Sequence, residues 1–127
     1  MRTAFFFDGG CNPNPGAIEV AVVGAGQTWF RDDLGVGDNN VAEWLALLHA
    51  VDLATLVGVP DVVFVGDSAL VIEQASGRQR CRSPQLQPLL ARFQAAVAPL
   101  PRFALRQVPR NRNLAGLALS GRARRVS

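Results

Sequence analysis

Three acidic residues in three separate segments carry the chemistry this chain suggests. Asp8 follows the apolar run Ala4-Phe5-Phe6-Phe7 and precedes Gly9-Gly10. Asp67 follows Val62-Val63-Phe64-Val65-Gly66 and precedes Ser68. Glu43 follows Asn39-Asn40-Val41-Ala42 and opens a long apolar-periodic stretch. Short apolar runs of this kind read as buried strands, and the periodic stretch as a helix. Two carboxylates would then stand at strand ends and Glu43 in the first turn of a helix. Each has an ordinary explanation alone, because Asp often ends a strand and the macrodipole favours Glu near a helix start. Together they would repel one another unless a cation offsets the charge. Hard divalent cations such as Mg²⁺ prefer such oxygen ligands. Two such ions about 4 Å apart can activate water and stabilise a leaving oxygen in phosphodiester cleavage.

Other residues fit a phosphodiester substrate. Gly9 and Gly10, lacking side chains, would let a sugar–phosphate backbone come close. Asn12, Asn14, Asn39 and Asn40 could reach ribose or base edges, and the 2′-hydroxyl distinguishes RNA from DNA at such a site. His49, the single histidine, lies between apolar residues and reads as a packed helical residue. Trp29 and Trp44 read as packing residues. Cys11 and Cys81 have no metal-ligand spacing and read as reduced thiols.

The charge is segregated. All ten acidic residues lie in residues 1–75, while eleven of the thirteen basic residues lie in 76–127, and every basic residue is Arg. The first segment therefore sums to −8 and the second to +11. Arg usage can reflect genome composition, but the separation of sign favours a phosphate-bearing partner.

The elements that must position these residues follow from the pattern. At 127 residues the chain fits one domain, 1–127, with 49% hydrophobic residues to fill a core. Strands are expected over 3–8, 17–25 and 27–34, the last at an edge, joined by the turn signal Asn12-Pro13-Asn14-Pro15-Gly16. A helix is expected over 40–57, capped by Asp38 or Asn39, with Val41, Leu45, Leu48, Leu53 and Leu56 on its apolar face. A strand over 61–66 and a short helix over 68–76 follow. Residues 78–82 form a basic loop. A helix starts at Ser83-Pro84 and runs to about 97. A last strand over 102–108 and a helix over 111–122 complete the chain. The fold class is α/β: an antiparallel three-strand meander plus two parallel strands, flanked by helices. The right-handed crossover rule places strand 61–66 parallel to and beside the first, which brings Asp8 and Asp67 to one sheet edge. Charges and glycines interrupt each apolar run before membrane-spanning length. The start of the chain, Met1-Arg2-Thr3, shows no signal-peptide pattern, so the expected location is cytoplasmic.

In this order the motifs resemble type 1 ribonuclease H of the bacterial and archaeal branch without a basic protrusion. The matching segments are Phe7-Asp8-Gly9-Gly10 with Asn14-Pro15-Gly16, Asn39-Asn40-Val41-Ala42-Glu43, and Gly66-Asp67-Ser68 with Val71-Ile72-Glu73-Gln74. Ser76-Gly77-Arg78 and Val108-Pro109-Arg110 with Asn113 complete the set. The resemblance covers about residues 4–120. It implies the ribonuclease H-like fold with a five-stranded mixed sheet, and Mg²⁺- or Mn²⁺-dependent endonucleolytic cleavage of the RNA strand of RNA–DNA hybrids. Asp8, Glu43 and Asp67 would be catalytic and metal-holding. Gly10, Asn12, Asn14, Asn39, Asn40, Arg78, Arg80, Arg110 and Asn113 would contact the hybrid, with Arg82 and Arg112 also facing phosphates. The family also carries a fourth metal-binding Asp after Val-Pro-Arg-x-x-Asn. Here that position is Leu117, or Gly116 if one residue is dropped, and no carboxylate follows Glu73. The expected enzyme therefore has a three-carboxylate site, with activity that is weak or dependent on Mn²⁺. The alternative is a protein that binds hybrid or double-stranded RNA without cutting.

Overall fold

The computed structural model describes residues 2–126, with side chains as far as Arg122. Strands β1 (Thr3–Cys11), β2 (Gly16–Gly24) and β3 (Gln27–Arg31) form the antiparallel meander. A two-residue strand, β4 (Val36–Gly37), pairs with the start of β2. Helix α1 (Asn39–Val57) crosses to β5 (Val62–Gly66), which runs parallel to β1. Helices α2 (Ala69–Ala75) and α3 (Gln87–Val97) precede β6 (Phe103–Gln107), parallel to β5. A 3-10 turn (Arg110–Arg112) leads into α4 (Leu114–Val126). The sheet order is β3-β2-β1-β5-β6, the expected mixed sheet with β4 as a short addition.

Side chains on a strand alternate between faces. Phe5 and Phe7 point to the α1 face, where Phe5 stacks on Trp29 with ring centres 6.1 Å apart. Trp44 of α1 meets Phe93 of α3 edge to face, and Phe93 meets Phe103 of β6 in the same way. The buried Trp44 Nε1 donates to Gln74 Oε1 at 3.0 Å, tying α1 to α2. Helix α4 lies against β1 and β2 from the other face. Helix α1 is long and apolar enough, by length and composition, to cross a membrane. Here it spans the sheet, with ten of its residues buried.

Several boundaries differ from the sequence expectation. Strand β1 continues through Asp8 to Cys11, because Gly9 and Gly10 remain paired with Val20 and Glu19 of β2. Asp38 caps α1 by accepting from Val41 N at 2.9 Å, so Glu43 sits in the second turn rather than the first. Leu56 is 81% exposed and lies outside the core. Ser83 caps a turn through Leu86 N that leads directly into α3, whose helical residues begin at Gln87.

Candidate metal centre

Register brings the first two carboxylates together. Phe6 pairs with Val65 across β1 and β5, and two residues further the same offset sets Asp8 level with Asp67. The third arrives because Gly9 has no side chain. A Cβ there would stand 2.2 Å from the Ala42 carbonyl oxygen, so only glycine lets α1 come this close. Gly9 N donates to Glu43 Oε1 at 3.4 Å across this contact. Gly9 thus serves helix packing rather than the approach of a sugar–phosphate backbone. Gly10 has open space, its nearest neighbour to an added Cβ being Asn39 Oδ1 at 3.9 Å.

The ligand oxygens of Asp8, Glu43 and Asp67 lie within 4.8 Å of one another. Asp8 is 2% and Glu43 8% exposed, yet Asp8 Oδ1 and Glu43 Oε2 find no donor among the protein groups. Burial, then the adjoining Asp8, pushes the Glu43 carboxyl up to about 10. Burial also raises Asp8, assisted by the charge of Asp67 and opposed by the Glu43 hydrogen bond and the charge of Arg110. Without a cation the two facing carboxyls can satisfy each other only by sharing a proton, which their burial favours. The orphaned buried oxygens and the all-oxygen donor set fit a hard divalent cation, which would replace that proton.

Asn113 is fully buried and completes the frame. Its Nδ2 donates to Phe7 O and to Asp67 Oδ2, each at 3.0 Å, and its Oδ1 accepts from Ala115 N at 3.1 Å. The amide is therefore engaged within the protein, orienting Asp67 and starting α4. Around the rim, Asn39 Oδ1 accepts from Cys11 N at 3.0 Å, and Asn39 N donates to Asn14 Oδ1 at 3.1 Å. Asn12, Asn14, Asn39 and Asn40 are exposed. Arg110 is exposed and close enough for its charge to act on Asp8. Arg78 and Arg80 are also exposed, but Arg78 is held by Glu73, with Nε 2.8 Å from Oε2. Arg80 lines a groove of mixed character with Gln74, Gln79, Cys81, Leu90 and Gln94. His49 has Arg31, Asp52 and Asp33 as its charged neighbours, none of them in the site.

The sequence left two candidates facing the carboxylates from the last helix, and the structure separates them. Leu117 is 50% exposed and lines an outer groove with Thr28, Phe30 and Arg122. Gly116 faces inward: a Cβ there would lie 3.4 Å from Asp8 Oδ2 and 3.7 Å from Asp67 Oδ2.

A family model described as reverse transcriptase-like matches residues 7–123. The solved N-terminal ribonuclease H domain of a Mycobacterium tuberculosis protein is 31% identical, with a TM-score of 0.79 over 94% of this chain and 95% of that one. The chain belongs to the ribonuclease H family. The ribonuclease H1 structure from Halobacterium salinarum superimposes with a TM-score of 0.87 at 29% identity, covering 94% of each chain. By sequence, the ribonuclease HI of that archaeon is 32% identical over 96% of this chain and 64% of its own length. The curated Mycobacterium tuberculosis relative, a bifunctional protein, is 32% identical over 89% of this chain. The chain spans about a third of that relative's length, 33%. A ribonuclease H1 isolated from compost, solved in complex with an RNA/DNA hybrid, matches with a TM-score of 0.75 at 26% identity over 88% of each chain.

Proposed function

We propose that this chain is a ribonuclease H that cleaves the RNA strand of RNA–DNA hybrids, using Mg²⁺ or Mn²⁺ held by Asp8, Glu43 and Asp67. The observation that carries the reading is the convergence of these carboxylates within 4.8 Å, with buried oxygens lacking a protein donor. Membership of the family and the likeness to a hybrid-bound ribonuclease H1 support the substrate. A bound divalent cation supplies Lewis-acid activation of water and neutralises charge at the phosphate. The protein's own groups prepare for that. The Asp8–Glu43 pair gives up its shared proton when the site is loaded. Asn113 holds the Asp67 carboxylate in place through Oδ2. The exposed Asn12, Asn14, Asn39 and Asn40 face the sugar edge, and Gly10 leaves room for it. Arg78, Arg80, Arg82, Arg110 and Arg112 supply positive charge for the phosphates.

A binder that does not cut is the second reading, favoured by Gly116 at the inward position of α4. Three gathered carboxylates, two of them buried, argue against it, because without a cation they repel phosphate. The test is cleavage of end-labelled RNA–DNA hybrid, double-stranded RNA and double-stranded DNA, with Mg²⁺ and with Mn²⁺. Internal cuts in the RNA of the hybrid alone are expected. Metal-dependent binding without cuts would establish the second reading.

A further inference from the structure

A groove of about 510 Å³ lies between the edge strand β3 and helix α4, outside the metal centre. It is lined by Thr28, Phe30, Leu117, Ala118, Gly121 and Arg122. Phe30 and Leu117 keep exposed apolar surface there, and nothing stands within 4 Å of an added Cβ at Gly121. The groove begins beside the centre, because Leu117 follows Gly116, which faces Asp8 and Asp67. Register gives the same answer from the sheet. Asp8 pairs with Ala21 and Ala21 with Phe30, so their side chains share one face. Phe30 therefore lies two strands, roughly 10 Å, across the sheet from Asp8. Arg122 is left short of acceptors. Its Cζ lies 4.9 Å from the centre of the Phe30 ring, and its Nη2 makes one long contact, 3.4 Å, with Asp32 Oδ2. Its Nη1 is buried and finds no acceptor among the protein groups. A guanidinium has five N–H donors to satisfy, and the rest of the lining is mostly apolar.

We infer that this groove binds a single-stranded extension of the RNA strand, which deepens the proposed function and rests on it. The occupant must bring flat apolar faces, acceptor oxygens and negative charge. Unpaired nucleotides bring all three, and the groove is of small-ligand size, too small for a duplex. Single-strand sites combine positive charge with aromatic side chains on which bases stack, and Arg adds its own attraction to π faces. Phe30 and the guanidinium of Arg122 stacked on it form such a platform. Charge agrees: residues 110–126 carry arginines and no acid. An acidic peptide would meet the same charge, but continuity with the metal centre favours the strand that passes through it. The protein thus prefers a hybrid whose RNA runs on into single strand over a blunt one.

The experiment measures Kd by fluorescence anisotropy in Mn²⁺, with hybrids whose paired RNA is 2′-O-methylated against cleavage. One hybrid is blunt. Others carry a short unpaired extension at the 5′ or the 3′ end of the RNA strand, or on the DNA strand instead. The unaltered protein is compared with Phe30→Ala, Phe30→Trp and Arg122→Gln. Each is scored by its own ratio of blunt to extended Kd, which cancels a general change in affinity. One polarity of RNA extension should tighten binding by the unaltered protein about tenfold, the scale of one stacked base. Phe30→Ala and Arg122→Gln should each abolish most of that gain, and Phe30→Trp should keep it. Phe30 is partly exposed, so its replacement leaves the core intact. An equal gain from the DNA extension overturns the inference, as does a gain that survives both Phe30→Ala and Arg122→Gln. No gain from either RNA extension also overturns it and leaves the groove to an acidic peptide. If the protein cleaves hybrid yet the extension adds nothing, the ribonuclease reading stands and this inference falls. If neither blunt nor extended hybrid binds, both fall.

Discussion

Burial raises both carboxyls of the facing Asp8–Glu43 pair. Without metal the Glu43 carboxyl is pushed up to about 10 from an ordinary value of 4.5, first by burial and then by Asp8. The folded protein therefore holds a proton that the unfolded chain releases. Stability from this group is present in full below pH 4.5 and is lost as pH rises towards 10. In EDTA, the free energy of urea unfolding should fall between about pH 5 and pH 9. Glu43→Gln should flatten that dependence and raise stability at pH 8 by on the order of 1–2 kcal/mol, while losing Mn²⁺ binding. A stability that rises through this window would contradict the assignment. Metal must displace the same proton, so Mn²⁺ affinity should climb with pH over the same range. Gly9 offers a second test. Gly9→Ala places a methyl 2.2 Å from the Ala42 carbonyl oxygen, so α1 must shift and carry Glu43 away from Asp8. A loss of about 1–3 kcal/mol in unfolding free energy is expected, with weaker Mn²⁺ binding. The sequence names Asp8, Glu43 and Asp67 and leaves 116 and 117 open. That choice depends on how the 3-10 turn Arg110–Arg112 hands over to α4, and both residues are apolar or small with no pattern to separate them.

At the scale of elements, the parallel pairing of β1 with β5 was legible, because a helical crossover between strands of one sheet runs right-handed. The length of β1 was not, since Asp8-Gly9-Gly10 carries the residues that usually end strands, and only pairing with β2 extends it. The start of α3 was placed a few residues early: Ser83-Pro84 opens a turn that leads into the helix, whose regular residues begin at Gln87. Asn113 shows the limit most clearly. From sequence it is a polar residue in an Arg-rich segment and reads as a duplex contact, whereas its three short hydrogen bonds join β1, Asp67 and the first turn of α4. Asn113→Ala should cost about 1–3 kcal/mol of stability and weaken Mn²⁺ binding, because a buried carbonyl and a carboxylate lose their donor. Its effect on metal-free hybrid binding should be small. A large loss of metal-free hybrid affinity with unchanged stability would assign Asn113 to the duplex instead.

At the scale of the whole molecule, the proposed function would have the acidic centre and the arginines divide the work of handling a polyanion. In that reading the carboxylates need a cation before they tolerate phosphate, and the acid-free stretch 76–127 would supply sequence-independent attraction. Hybrid affinity should fall steeply with salt, with a log–log slope of about −0.9 per neutralised phosphate if the hybrid behaves as B-form DNA does. Arg80→Ala or Arg110→Ala should each reduce that slope by about one unit. Arg78→Ala should change it less, because Glu73 already holds that guanidinium. A slope that ignores Arg80 and Arg110 would place the duplex elsewhere on the surface. The central claim is that the three gathered carboxylates perform metal-dependent cleavage of hybrid RNA. The most direct measurement is the initial rate of hybrid cleavage in saturating Mn²⁺ by the unaltered protein and by Asp8→Asn. Metal-dependent cleavage that falls to background in Asp8→Asn, with hybrid binding retained, is the predicted result. An Asp8→Asn rate equal to that of the unaltered protein would contradict it.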